Sequence, residues 1–117
     1  MSGVRIKPET PPPLSESDLM RQIMVALSAD GHFVARANVG LFFTADGRPV
    51  KTGLPKGFSD LFGHRQWDCR AFYLEVKTAK GRPSPEQLAF IAAMKKRGAI
   101  AAIVRSVEDA RLALAKD

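Results

Sequence analysis

Gly57-Phe58-Ser59-Asp60 is followed, fifteen positions beyond the aspartate, by Glu75-Val76-Lys77 inside an apolar run. Two carboxylates and an ammonium held on adjacent strands could bind a divalent cation and hydrolyse a phosphodiester. Hard oxygen ligands suit Mg²⁺ or Mn²⁺, and a nearby ammonium can assist the attacking water or the developing charge.

Strand alternation supports the second half of this set. In Ala71 to Lys77, Phe72, Leu74 and Val76 alternate with Tyr73, Glu75 and Lys77, so Glu75 and Lys77 share a face. Two residues along a strand span roughly 6.6 Å, close enough for both side chains to reach one phosphate. Phe58 to Gly63 reads as a short strand, in which a carboxylate among Phe58, Leu61 and Phe62 is costly to ionise without a compensating cation. Each residue also has a simpler reading. Asp60 suits a turn beginning at Gly57, and Glu75 with Lys77 would be an ordinary exposed pair if that face were solvated.

Helices flank this centre. Ser15-Glu16-Ser17-Asp18 has the form of a capping box, and Leu19, Met20, Ile23, Met24 and Leu27 recur at helical spacing up to Ala29-Asp30-Gly31. Glu16 falls on the same stripe, which turns it toward the sheet and the two acids, unless it serves only as a first-turn acid favoured by the helix dipole. Ser84-Pro85-Glu86-Gln87 opens a second helix through Leu88, Ile91 and Met94 to Gly98. Gln87 occupies the reciprocal capping position, and capping alone would account for it. Ala99 to Val104 is a continuous apolar run suited to a strand covered on both faces, and Ser106 starts a last helix carrying Leu112 and Leu114.

Between the first helix and Asp60 the pattern is extended: Phe33 to Arg36, then Val39 to Thr44, a hairpin turn at Asp46-Gly47, and a return strand or loop from Arg48 to Lys56. Residues 1–14, ending in a proline run and Leu14, read as a flexible arm, and 15–117 as one folded domain. The chain of 117 residues is long enough to close one core without disulfides. No apolar run approaches the roughly 20 residues of a membrane span, so no membrane partner is expected. Cys69 is the only cysteine, which leaves no intrachain disulfide; with only His32 and His64 beside it, a structural zinc site is not expected. The cytoplasm of a bacterial or phage-infected cell is the expected location. Eighteen Lys and Arg against twelve Asp and Glu, a net charge of +6, favour an anionic partner such as nucleic acid. Lys51, Lys56, Lys80 and Arg82 are the candidate phosphate contacts.

Taken together, Glu16, Gly57-Phe58-Ser59-Asp60, Phe72-Tyr73-Leu74-Glu75-Val76-Lys77 and Ser84-Pro85-Glu86-Gln87 resemble the VRR-NUC family, a branch of the PD-(D/E)xK nucleases. The resemblance runs from about Ser15 to Val104 and looks like the small stand-alone members. It implies an α/β, restriction-endonuclease-like core with a mixed central sheet flanked by helices. It also implies a catalytic set of Glu16, Asp60, Glu75, Lys77 and Gln87, with Asp60, Glu75 and the Val76 carbonyl holding Mg²⁺ or Mn²⁺. Ser59 stands where many of these enzymes have proline, which carries no chemistry. A homodimer acting on branched DNA such as four-way (Holliday) junctions is implied by the resemblance alone. Two alternatives stay open: a non-catalytic DNA-binding or assembly module on the same fold, and an RNA-directed nuclease.

Overall fold

The computed structural model describes residues 12–38 and 40–116. Most of the expected N-terminal arm, and Val39 of the expected second strand, lie outside them. The described chain runs α1 (Glu16–Ala29), β1 (Phe33–Arg36), β2 (Leu41–Phe43), β3 (Pro49–Lys51), β4 (Leu61–His64), β5 (Ala71–Val76), α2 (Pro85–Lys96), β6 (Ile100–Val104) and α3 (Val107–Leu114). Strands β1, β4, β5 and β6 form one sheet in that order, antiparallel except for the parallel β5–β6 pair. The expected mixed sheet with flanking helices is the observed architecture. Strands β2 and β3 form a separate antiparallel ribbon.

Side-chain alternation divides the four-stranded sheet into two faces. Leu61, Phe72, Leu74 and Val76 lie with Leu19, Met20, Ile23 and Leu27 of α1 and with Ala110, Ala113 and Leu114 of α3 in one buried core. Burying each such large apolar side chain contributes roughly 1.5–3 kcal/mol. Phe62 and Tyr73, paired across β4 and β5, turn to the opposite face. There Phe58, Phe62, Tyr73 and Phe90 of α2 form an edge-to-face and tilted aromatic cluster with centroid spacings of 4.7 to 5.8 Å. Glu75, two residues beyond Tyr73, is therefore on the α2 side.

Three helix starts follow their serines. Ser15, Ser84 and Ser106 accept from the amides of Asp18, Gln87 and Asp109 at 3.1, 3.1 and 2.9 Å. At α1 the expected reciprocal acidic bond does not form, and Asp18 leans toward Arg21 at 3.8 Å. In α3 the inward positions are Ala110, Ala113 and Leu114, whereas Leu112 is 60% exposed, because the three-and-four spacing toward the sheet skips it. Strand β6 is an edge strand by order, yet its apolar residues are covered because both α2 and α3 pack on it.

The predicted strand from Phe58 begins instead at Leu61. Gly57 has φ +89°, and Ser59, fully buried, donates its hydroxyl to the Leu61 carbonyl at 2.9 Å, so residues 57–60 turn before pairing starts. A Cβ on Gly57 would lie 2.5 Å from the Glu86 carbonyl oxygen, so the turn also needs glycine to approach the first turn of α2. Arg65, 4% exposed, ties the chain end to the β4–β5 turn. It chelates Asp68 at 3.1 and 2.6 Å, donates to the Leu114 carbonyl at 2.9 Å and to that of Lys116, and lies 4.5 Å over Trp67.

Candidate active site

Asp60 and Glu75 meet where β4 starts and β5 ends, through crossed hydrogen bonds. The Val76 amide donates to Asp60 Oδ2 at 2.9 Å, and the Asp60 amide donates to Glu75 Oε2 at 3.2 Å. The Glu75 carboxylate is thus anchored on the Asp60 backbone, and the Asp60 carboxylate on the residue that follows Glu75 in β5. Glu75 is 1% exposed, which rules out the simple solvated-pair reading; Asp60 is half-buried.

Two further groups close on Glu75 Oε1. Lys77 Nζ stands at 3.6 Å with its side chain 13% exposed, and Gln87 Nε2 donates at 2.7 Å. Gln87 also completes the α2 capping box, its Oε1 accepting from the Ser84 amide at 2.8 Å. The two readings of Gln87 are therefore both realised, and they are linked. Capping commits the amide oxygen to Ser84 and so aims the NH₂ at Glu75.

Burial pushes the Glu75 carboxyl up to about 8, with the charge and hydrogen bonding of Asp60 adding to the rise and the Lys77 ammonium opposing it. Two close carboxylates in a desolvated site resist being ionised together, and a divalent cation relieves that conflict. Among the described residues no three acidic, histidine or cysteine side chains cluster in a way that could hold an ion. Two carboxylates still fit Mg²⁺ or Mn²⁺, because Mg²⁺ usually keeps several waters and takes only one or two carboxylates besides substrate phosphate. The donor chemistry fits: Asp60, Glu75 and the Val76 carbonyl are the available hard oxygens.

Glu16 is not gathered into this set. It is half-buried at the first residue of α1 and makes no hydrogen bond or ion pair with Asp60, Glu75, Lys77 or Gln87. Helical spacing put it on the inward stripe, but that stripe packs on the face of β5 opposite to Glu75. His64 is at the far end of β4, against Phe33 at 5.7 Å.

A cleft of about 390 Å³ opens at Asp60, lined also by Gln87, Arg36, Asn38, Phe42 and Lys56 among others. The four expected phosphate contacts divide. Lys56 borders this cleft, while Lys51 lines an adjoining hollow of about 810 Å³ along the ribbon. Lys80 and Arg82 line a third hollow, of about 590 Å³, with Arg105, which holds their loop by donating to the Thr78 and Gly81 carbonyls at 2.5 and 2.8 Å. Arg36 and Asn38 escaped the sequence reading, since nothing local to the end of β1 marks it as neighbouring Asp60. The signal is topological: β1 pairs with β4, and the Ala37 amide donates to the Asp60 carbonyl at 2.8 Å.

A model of the VRR-NUC domain matches residues 47–108, a span that contains Asp60, Glu75, Lys77 and Gln87 and excludes Glu16. The chain belongs to the VRR-NUC family. This is a nuclease family. Two solved structures share the restriction-endonuclease-like fold. One, a VRR_NUC domain, is 22% identical with a TM-score of 0.58, over 83% of this chain and 90% of that one. The other, a VRR_NUC domain protein, is 15% identical with a TM-score of 0.53, over 83% and 82%. No curated protein matches the chain. In this VRR-NUC domain no described helix is long and apolar enough to cross a membrane.

Proposed function

We propose that this VRR-NUC protein is a divalent-metal-dependent endodeoxyribonuclease acting on branched DNA such as four-way junctions. The observation that carries the reading is the pair of buried Glu75 and half-buried Asp60, crossed through backbone amides and joined by Lys77 and Gln87, with Asp60 and Gln87 lining a cleft bordered by Arg36 and Lys56. Asp60, Glu75 and the Val76 carbonyl would hold Mg²⁺ or Mn²⁺. Bound there, the cation would polarise the phosphate and lower the pKa of the attacking water.

The residues of the chain do the rest. Lys77, its ammonium restrained by Glu75, orients the attacking water and stabilises the charge that develops on the phosphate. Gln87 holds the Glu75 carboxylate in one orientation and offers its amide to a phosphate oxygen. Arg36 and Lys56 contact flanking phosphates and position the strand without reading its sequence. Glu16, half-buried at the first residue of α1, is retained in the catalytic set on the family resemblance alone. A homodimer would present two such clefts to the two strands of a four-way junction. A non-catalytic module is disfavoured, because a fold freed of chemistry gains nothing from a buried carboxylate that resists ionisation.

The test incubates purified protein with labelled four-way junction, flap, linear duplex and RNA in Mg²⁺, Mn²⁺ or EDTA. Cleavage of branched DNA should require metal, and Glu75→Ala or Lys77→Ala should slow it by about 100-fold or more. Undiminished cutting by either variant would sink the assignment. Cutting of RNA alone would move the substrate class, and salt-sensitive binding with no cutting would favour the module.

A further inference from the structure

The β2–β3 ribbon stands outside the four-stranded sheet and exposes Leu41, Phe42, Phe43 and Val50 at 56, 51, 66 and 48%. Its ends are tied: the Gly40 amide donates to Thr52 Oγ1, the Thr52 amide to the Gly40 carbonyl, the Thr44 amide to the Arg48 carbonyl and the Arg48 amide to Thr44 Oγ1. The register pairs Leu41 with Lys51, Phe42 with Val50 and Phe43 with Pro49. Directly paired residues share a face, so Phe42 and Val50 point one way and Leu41, Phe43 and Lys51 the other.

Those two faces meet different surroundings. Phe42 lines the same cleft as Asp60, Gln87, Arg36 and Lys56, whereas Leu41 and Lys51 line the adjoining hollow. A half-exposed phenyl ring thus lines one cleft with Arg36, Lys56 and Asp60, and no aromatic ring of the described residues stacks on it. Aromatic rings set among cations are how proteins grip unpaired nucleotides, the cations taking phosphates and the ring taking a base.

We propose that Phe42 is a stacking platform for an unpaired base adjacent to the scissile phosphate, and that it makes this site prefer DNA with unpaired or splayed nucleotides. The inference rests on the nuclease reading and deepens it. A fully paired base has both π-faces covered by its neighbours and cannot stack on the ring without leaving the helix. A base at a gap, flap or junction branch point pays little to do so. The preference for branched DNA would then come from the ribbon, while Asp60 and Glu75 carry the chemistry wherever a phosphate is delivered.

The experiment compares linear duplex with the same duplex bearing a short single-stranded gap. Affinities are read by fluorescence anisotropy with Ca²⁺ replacing Mg²⁺, and cleavage in Mn²⁺. Phe42→Leu keeps apolar bulk and removes the ring; it should weaken binding of gapped DNA by about 5- to 100-fold and leave duplex binding within about two-fold. Phe42→Trp should restore the affinity, Phe43→Leu on the opposite face should not change it, and 2-aminopurine in the gap should report stacking that Phe42→Leu abolishes. Equal loss on both DNAs, no loss on either, or a wild-type dimer that Phe42→Leu splits into monomers would overturn the proposal, the last by making a second copy the ribbon's occupant. Wild-type protein that cuts DNA while Phe42→Leu binds gapped DNA normally sinks this inference alone. Wild-type protein that neither binds nor cuts sinks the nuclease reading and this one with it.

Discussion

Glu75 is a glutamate whose burial, and the Asp60 carboxylate beside it, oppose its charge. Its carboxyl is raised from 4.5 to about 8, so between those pH values the folded chain holds a proton that the unfolded chain has released. Stability of the metal-free protein must therefore fall as pH rises through that window. In EDTA the melting temperature should drop by about 5 °C or more between pH 5 and pH 8, and Glu75→Gln should remove most of that drop. Thermal scans at four pH values check this, and parallel curves for the two proteins would place the titration elsewhere. Asp68 does not confuse the result. The Arg65 guanidinium holds its carboxyl down to about 2, so its contribution is present above the ordinary carboxylate range and is lost only in acid, well below the window. A metal held by Glu75 as proposed would displace its proton, so Mn²⁺ should raise the melting temperature more at pH 8 than at pH 6.

At the scale of elements, the site depends on two starts: the turn into β4, which delivers Asp60, and the first turn of α2, which delivers Gln87. Gly57 is where they touch, with φ +89° and its absent Cβ against the Glu86 carbonyl. Gly57→Ala forces a left-handed alanine into that contact. It should cost about 2 kcal/mol or more, a fall of roughly 8 °C or more in melting temperature, with cleavage reduced even well below the transition. An alanine variant as stable and active as wild type would show that this turn does not position Asp60. The helix starts were legible in the sequence, because a serine cap and its N3 residue are local in chain and space. The double duty of Gln87 was only half legible. Its capping half is local, whereas its bond to Glu75 crosses from a helix to a strand.

For the whole molecule, a net charge of +6 counts less than where the cations stand. Lys56 and Arg36 border the cleft, whereas Lys80 and Arg82 line a separate hollow. Lys56→Ala should weaken binding of branched DNA and lower the slope of log Kd against log salt by about 1, as loss of one phosphate contact does. Titrations at several salt concentrations measure that slope. An unchanged slope would remove Lys56 from the interface, and an equal effect from Lys80→Ala would extend the DNA path to the second hollow. The ion pair of Lys56 with Glu86, at 3.6 Å and largely exposed, is too weak to keep this side chain from a phosphate.

The sequence by itself determined the helices, the order of elements and the strand that carries Glu75 and Val76, because capping, period and turn chemistry act over a few residues, while the mixed sheet was implied by the family resemblance. Folding decided the rest through contacts between distant segments. It tied the Asp60 carboxylate to the Val76 amide and the Glu75 carboxylate to the Asp60 amide, moved Asp60 to the turn before a strand, and left Glu16 without a hydrogen bond to either acid. It also brought Arg36, Asn38 and Phe42 to the cleft, and buried Arg65 against the end of α3, 49 residues away. Periodicity says which way a side chain points from its own element. It does not say which element waits on that side, and here that depends on strand order and register.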